Sequence, residues 1–189
     1  MMYERWGKRC LDIIMTVCGL ICAAPLMLMI SMLIKIFDSG PIVFRQKRVG
    51  RYGNVFTIYK FRSMPVTTSD LPSNIIGDIQ MTWVGRLIRR LNIDELPQLI
   101  NILRGEMSVV GPRPSLVTEK ELVATRREKN VLRVHPGLTG LAQINSFNGM
   151  HLEEKVSFDQ RYCENMSFMS DVRIIISTVL YMFKSPPKY

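Results

Sequence analysis

No two cysteines of this chain form a CxxC pair, and the two histidines, His135 and His151, lie far from all four of them. That leaves no cysteine–histidine spacing of the kind that binds zinc or runs thiol–disulfide chemistry. Of Cys10, Cys18, Cys22 and Cys163, the middle two stand four apart in an apolar run, on one helix face. Burial by packing is expected of them, and a reducing, cytoplasmic setting fits. Between residues 40 and 165 there is no internal repeat and no low-complexity linker. Acidic residues are also short, 16 against 25 lysines and arginines, for a net charge of +9. Such an excess implies an anionic partner: nucleic acid, a membrane surface or a phosphorylated substrate. At 189 residues the chain can build one sizeable core and is too short for two ordinary domains.

What is present is concentrated near the start. Residues 11–34 run LDIIMTVCGLICAAPLMLMISMLI, with Asp12 the single charge. The run is about long enough to cross a bilayer as a helix, and too long for the apolar stretch of a signal peptide. Yet both flanks are basic, with Arg5, Lys8 and Arg9 before it and Lys35, Arg45, Lys47, Arg48 and Arg51 after it. Short basic flanks stay on the cytoplasmic side, so a simple span satisfies that rule at one end only. Pro25 offers another course: proline removes a backbone donor and clashes with the preceding turn, so a break is expected at this position. Each leg is then too short to span, and a helix–break–helix that enters one leaflet and returns keeps both flanks cytoplasmic. The backbone groups freed at the break need internal partners, Ser31 folding back among them. A single kinked transmembrane helix is the alternative. A second apolar stretch, residues 168–183, carries Asp171 and Arg173 and is too short and charged to span, so an interfacial or core helix is expected.

In the middle of the chain, residues 42–44 and 55–59 read as short strands joined by a basic turn, RQKRVGRYGN. Residues 65–80 read as an irregular loop. Residues 83–91 carry apolar side chains at helical spacing, and Pro97 suggests a helix beginning at or near Asp94–Leu96. Two adjacent carboxylates, Asp94 and Glu95, then stand at a helix N-terminus with Arg89 and Arg90 just upstream. Such a stretch could bind a divalent cation and collect phosphates, or be no more than an acidic first turn beside a solvated basic face. Downstream, GPRP fixes the backbone on both sides of Arg113, which suits a pre-oriented phosphate-binding guanidinium. HPGLTG, residues 135–140, reads as another rigid turn; His135 could titrate near neutral pH, though a lone histidine before proline is more often structural.

Together these segments resemble the bacterial sugar transferase family, specifically the small monotopic phosphoglycosyl transferases. The resemblance takes in Lys8, Arg9 and Asp12 before the proline-centred apolar run, FRQKRVG (44–50) and YKFRSM (59–64). It continues through IDELPQLINILRGEMSVVGPRP (93–114), HPGLTGLAQIN (135–145) and the pattern of Asp159, Tyr162 and Asp171. It implies an α/β, mostly helical protein. A re-entrant anchor (1–38) packs on a small catalytic domain (39–189) with short strands and interfacial amphipathic helices, at the cytoplasmic face of the bacterial inner membrane. It implies Asp94 as a nucleophile that attacks the β-phosphate of a UDP-sugar and expels UMP, with undecaprenyl phosphate then taking the sugar phosphate. Glu95 would bind Mg²⁺, and Lys60, Arg62, Arg89 and Arg113 would hold phosphates. Bilayer phospholipids are further partners and nucleic acid is not, since an anionic donor and an anionic lipid account for the basic charge. Without the extra membrane helices of longer relatives, the chain is expected to be the catalytic core.

One departure stands out. Where the family often carries an arginine after the QIN segment, this chain has Phe147, which cannot hydrogen-bond a phosphate. Two competing readings follow from the residues: an anchored basic binder of phosphate backbones, and a glycosyltransferase that releases UDP. The sugar, the oligomeric state and the pathway (capsule, lipopolysaccharide O-antigen, exopolysaccharide or protein glycosylation) are not legible.

Overall fold

The computed structural model describes residues 3–37, 40–64, 83–145 and 150–182. The loop expected at 65–80 and the substitution at Phe147 lie outside them.

After a π-helical turn at Tyr3–Gly7, the apolar run forms one helix, α1 (Lys8–Phe37), with Pro25 inside it. Helical structure carries through the proline, so the two separated legs expected from the sequence are one element. A proline costs its helix one hydrogen bond and a local clash, which leucine-, isoleucine- and methionine-rich turns on both sides can absorb. Ser31 does fold back, donating to the carbonyl of Met27 at 2.7 Å rather than to that of Ile21, the one left by Pro25. By length and composition α1 could cross a membrane. Its buried positions, Lys8, Asp12, Thr16, Ile30 and Ile34, form a seam on the rest of the chain, while Ile14, Ile21, Leu28, Met32 and Ile36 are exposed. Cys18 and Cys22 are exposed as well, which corrects the expectation that packing buries them. The run is apolar all round, so composition could not tell its seam from its free face.

Strands β1 (Val43–Val49) and β2 (Val55–Phe61) pair antiparallel from Val43↔Phe61 to Val49↔Val55. Much of the presumed basic turn is therefore strand: Arg45 and Lys47 point outward, alternating with inward neighbours, as a period of two allows. The true turn is confined to 50–54, where Tyr52 and Gly53 take positive φ of 58° and 84°.

Helix α2 (Trp83–Arg90) buries Val84 and Ile88 and exposes Trp83 and Leu87. A 3₁₀ turn follows at Ile93–Glu95, then α3 (Gln98–Leu103). Ile30 and Ile34 of α1 form one cluster with Phe61, Val84 and Ile88. Each such buried side chain contributes about 1.5–3 kcal/mol. Leu20 of α1 packs on a second cluster, Ile58, Leu99, Ile102 and Met107. The Phe37 and Trp83 rings meet edge-on at 5.2 Å.

Strand β3 (Ser108–Val110) leads into a tight segment and then β4 (Ser115–Leu116), which adds to β1 and completes the order β2-β1-β4. After α4 (Lys120–Glu128) comes β5 (Gly137–Thr139), parallel to β3, so the HPGLTG segment is a strand and not only a turn. A Cβ on Gly137 or Gly140 would collide with the backbone of Gly111, which is why glycine stands at these crossings. Helices α5 (Leu141–Ile144), α6 (Leu152–Glu164) and α7 (Phe168–Met182) close the third cluster around Val110, Leu122, Val131, Val156, Tyr162 and Ile174. Helix α7 buries Asp171 and Ile174 while exposing Phe168, Met169, Ile176 and Leu180.

Candidate active site

Asn92, in the left-handed region at φ 54°, ends α2 and redirects the chain into the 3₁₀ turn that carries Asp94 and Glu95. Pro97, at φ −61°, caps α3. The helix thus starts slightly later than its proline signal suggested, and the carboxylates sit on a separate turn in front of it. Lys60 reaches them from β2 and Arg113 from the segment between β3 and β4.

The four groups form an unequal set. Lys60 Nζ lies 2.7 Å from Glu95 Oε1 and 4.0 Å from Asp94 Oδ2. Arg113 grips both Glu95 oxygens, Nη2 to Oε1 at 2.5 Å and Nη1 to Oε2 at 3.4 Å. Asp94 is 7% exposed, and among the described residues its carboxylate accepts no hydrogen bond. Its acidity follows. Burial raises Asp94 to about 6 against the pull of Lys60, while the Glu95 charge adds to the rise and Arg113 and Arg89 oppose it. Glu95 meets the same burial, but Arg113 and Lys60 outweigh it and hold the group down at about 2. Lys60 is itself lowered by burial, with the Glu95 charge opposing. At neutral pH the site therefore keeps one carboxylate locked in close cation contacts and a second ionised, with only the longer Lys60 contact among the described residues.

Of the other expected residues, Arg89 stands in the last turn of α2, where its charge is felt at Asp94. Arg62 is buried just past β2, its backbone N–H bonded to Ile42, and is not among the groups that tie down Glu95. His135 is pushed down to about 4 by burial and then by Arg51, so near pH 7 it is neutral. No group of three or more metal-ligating side chains occurs among the described residues. Taken with the described residues alone, the carboxylate pair fits Mg²⁺ in the manner of one or two carboxylates completed by substrate phosphates.

A second polar cluster fastens α1 beside this site. Asp12 Oδ1 accepts from Ser108 Oγ and the Val109 N–H, both at 2.9 Å. Lys8 pairs with Asp171 at 2.7 Å, and Asp171 also accepts from Tyr3 at 2.5 Å and Tyr162 at 2.8 Å. Arg9 donates to the Ile102 and Leu103 carbonyls at the end of α3. The scattered Lys8, Arg9, Asp12, Tyr162 and Asp171 positions are thereby one junction.

The family model for bacterial sugar transferases matches residues 3–185. The chain belongs to the bacterial sugar transferase family. Its relatives include the uncharacterized sugar transferase EpsL of Bacillus subtilis (strain 168), 40% identical over 91% of this chain and 85% of that protein. The exopolysaccharide production protein ExoY of Sinorhizobium fredii (strain NBRC 101917 / NGR234) is 38% identical over 92% of this chain and 84% of its own. The UDP-glucose:undecaprenyl-phosphate glucose-1-phosphate transferase of Escherichia coli (strain K12) is 38% identical over 98% of this chain, which spans 42% of that longer protein.

Two residues of this sugar transferase escaped the sequence reading although they touch the site's scaffold: Arg48, bonded to the Pro114 carbonyl, and Arg126, bonded to that of Arg113. Their partners lie 66 and 13 residues away, and no local spacing signals them.

Proposed function

We propose that this chain is a membrane-embedded phosphotransferase that moves a sugar 1-phosphate from a UDP-sugar to undecaprenyl phosphate, releasing UMP. The observation that carries the reading is Asp94, a buried carboxylate with no hydrogen bond among the described residues, beside a Glu95 held by Lys60 and Arg113. A nucleophile needs free lone pairs, and the neighbouring cations suit the charge of a diphosphate.

The steps follow from those groups. An Asp94 oxygen attacks the β-phosphorus, and the bond from that phosphorus to the bridging oxygen breaks. UMP leaves with the bonding pair, and the sugar phosphate stays on Asp94 as a mixed anhydride. A phosphate oxygen of the lipid then attacks the same phosphorus and frees the Asp94 carboxylate, leaving undecaprenyl diphosphate-sugar. Lys60 and Arg113 stand where they can offset charge on the equatorial oxygens, with Arg89 contributing at longer range. Glu95, with donor phosphate oxygens, would hold Mg²⁺, whose contribution is to neutralise diphosphate charge.

The same reading places the enzyme on the cytoplasmic face of the inner membrane, with residues 1–38 as anchor. Asp12 and Ile34 are 22 residues apart, about 33 Å of helix, yet both pack on the remainder of the chain. A domain touching α1 over that length is hard to reconcile with a helix that spans a core of about 30 Å and leaves the domain on one side. A shallow, re-entrant course bent at Pro25 accommodates it, with the exposed faces of α1, α2 and α7 toward lipid. Tags at Met1 and just after Asp38 should then both be cytoplasmic; opposite sides would rule the re-entrant course out.

The chemistry is tested by nucleotide release from a panel of UDP-sugars with Mg²⁺ and undecaprenyl phosphate. UMP from one donor, lost in Asp94→Asn, is the expected result. UDP as the product, or UMP release that survives the substitution, would overturn the mechanism.

A further inference from the structure

Arg113 is gripped at its guanidinium end by Glu95, but its side chain is 41% exposed, so burial does little to hold it. Pro112 and Pro114 restrict the backbone around it, since proline fixes its own φ and biases the residue before it toward extended conformations. Neither fixes the tilt of the peptide planes at 113 and 114, and a change there would swing the Arg113 side chain as a whole. Those two planes are each held by another arginine. Arg126 of α4, 2% exposed, donates from Nη1 to the Arg113 carbonyl at 2.7 Å and to Ser115 Oγ at 2.6 Å. Its Nε and Nη2 are anchored on Asp159 Oδ2 of α6 at 3.0 and 2.6 Å. Arg48 of β1 donates from Nη1 to the Pro114 carbonyl at 3.2 Å, its Nη2 tied to Gln46 at 2.6 Å. Just upstream, Gly111 is pinned against β5, its N–H on the Thr139 carbonyl at 2.8 Å.

We propose that Arg48 and Arg126 are positioning residues that clamp the 111–114 segment from two sides and so keep the Arg113 guanidinium on Glu95. A buried ion pair such as Arg126–Asp159 adds little stability over apolar packing of the same volume. Its use here is the remaining arm of the guanidinium fork, which only arginine can extend to a backbone carbonyl while both other nitrogens stay on the carboxylate. The consequence for transfer rests on the function proposed above; the clamp itself does not.

The test uses the full chain in lipid nanodiscs. Donor turnover is measured for the wild type, Arg48→Gln, Arg113→Ala and the double variant. A residue that acts through Arg113 loses its effect once Arg113 is gone. Arg48→Gln should therefore lower kcat/KM about ten-fold alone and by less than about two-fold in the Arg113→Ala background. Multiplicative losses in the double variant would overturn the clamp, since they are what a variant that merely folds less well produces in both backgrounds. Arg126→Lys, which keeps the charge and loses the fork, should repeat the pattern. An independent reading comes from the Arg113 Nε–H NMR signal, identified by its loss in Arg113→Lys. It should be sharp in the wild type and broadened in Arg48→Gln; a signal unchanged by the substitution contradicts the proposal. If no donor turns over, the functional reading fails and the NMR comparison still decides the clamp.

Discussion

Two of the buried clusters of carboxylates and cations among the described residues, the α1 junction and the 3₁₀ turn, are built to different rules. At the α1 junction every carboxylate is matched: Asp12 accepts two hydrogen bonds, and Asp171 three, from Tyr3, Lys8 and Tyr162. At the 3₁₀ turn one carboxylate takes both cations while its neighbour, Asp94, is buried with none closer than 4.0 Å among the described residues. A matched cluster fixes geometry. A mismatched one costs stability and is kept where a reactive group must stay available. The junction therefore reads as the fastening of α1, and the turn as the site of chemistry.

The largest effect that separates them is Asp94→Asn, which should abolish transfer by at least about a thousand-fold. Because burial raises Asp94 above its unfolded value of 3.8, its ionisation works against folding as pH rises through about 6. Asn should thus melt higher than wild type at pH 7.5, by about 1–2 kcal/mol. A thermal scan that finds it less stable breaks the distinction. The same shift predicts that transfer falls as pH drops through about 6, where the attacking carboxylate is protonated.

Asp171→Asn should do the reverse. It leaves the Lys8 charge buried without its counter-charge and costs about 3–5 kcal/mol by denaturant unfolding, while the folded fraction retains its transfer rate. A variant of normal stability but no activity would move Asp171 into the catalytic site. Glu95→Gln lies between the two. The held-down Glu95 stabilises the fold fully above its unfolded value of 4.5 and loses that contribution as pH falls toward about 2. Removing its charge should cost about 2–4 kcal/mol at neutral pH and activity as well. The smallest effect is Tyr162→Phe, which removes the one O–H shared between Asp171 and the Val110 carbonyl for about 1–2 kcal/mol, with turnover unchanged.

The contrast between the clusters also explains how much was legible beforehand. Asp94, Glu95, Lys60 and Arg113 could be picked out from motifs, and the structure brings these four together. The apolar run, the amphipathic α2 and the hairpin were visible in their periodicities, though the charged half of β1 passed for a turn because outward lysine and arginine mimic loop composition. The β3–β5 pairing joins residues 29 apart, Ser108↔Gly137 and Val110↔Thr139, and parallel pairing leaves no local turn signal. The junction and the arginine clamps are likewise made of long-range partners, each of which alone looks like a surface charge. Burial was misjudged where the sequence is uniformly apolar, as at Cys18 and Cys22.

The most direct test of the account is to trap the sugar phosphate on the protein. The chain is incubated with a UDP-sugar labelled in the β-phosphate, without acceptor, then denatured and mapped by mass spectrometry. The account predicts label on the peptide bearing Asp94, absent in Asp94→Asn and discharged when undecaprenyl phosphate is added. Label on another residue, or turnover of the donor with no labelled protein at any time, would contradict it.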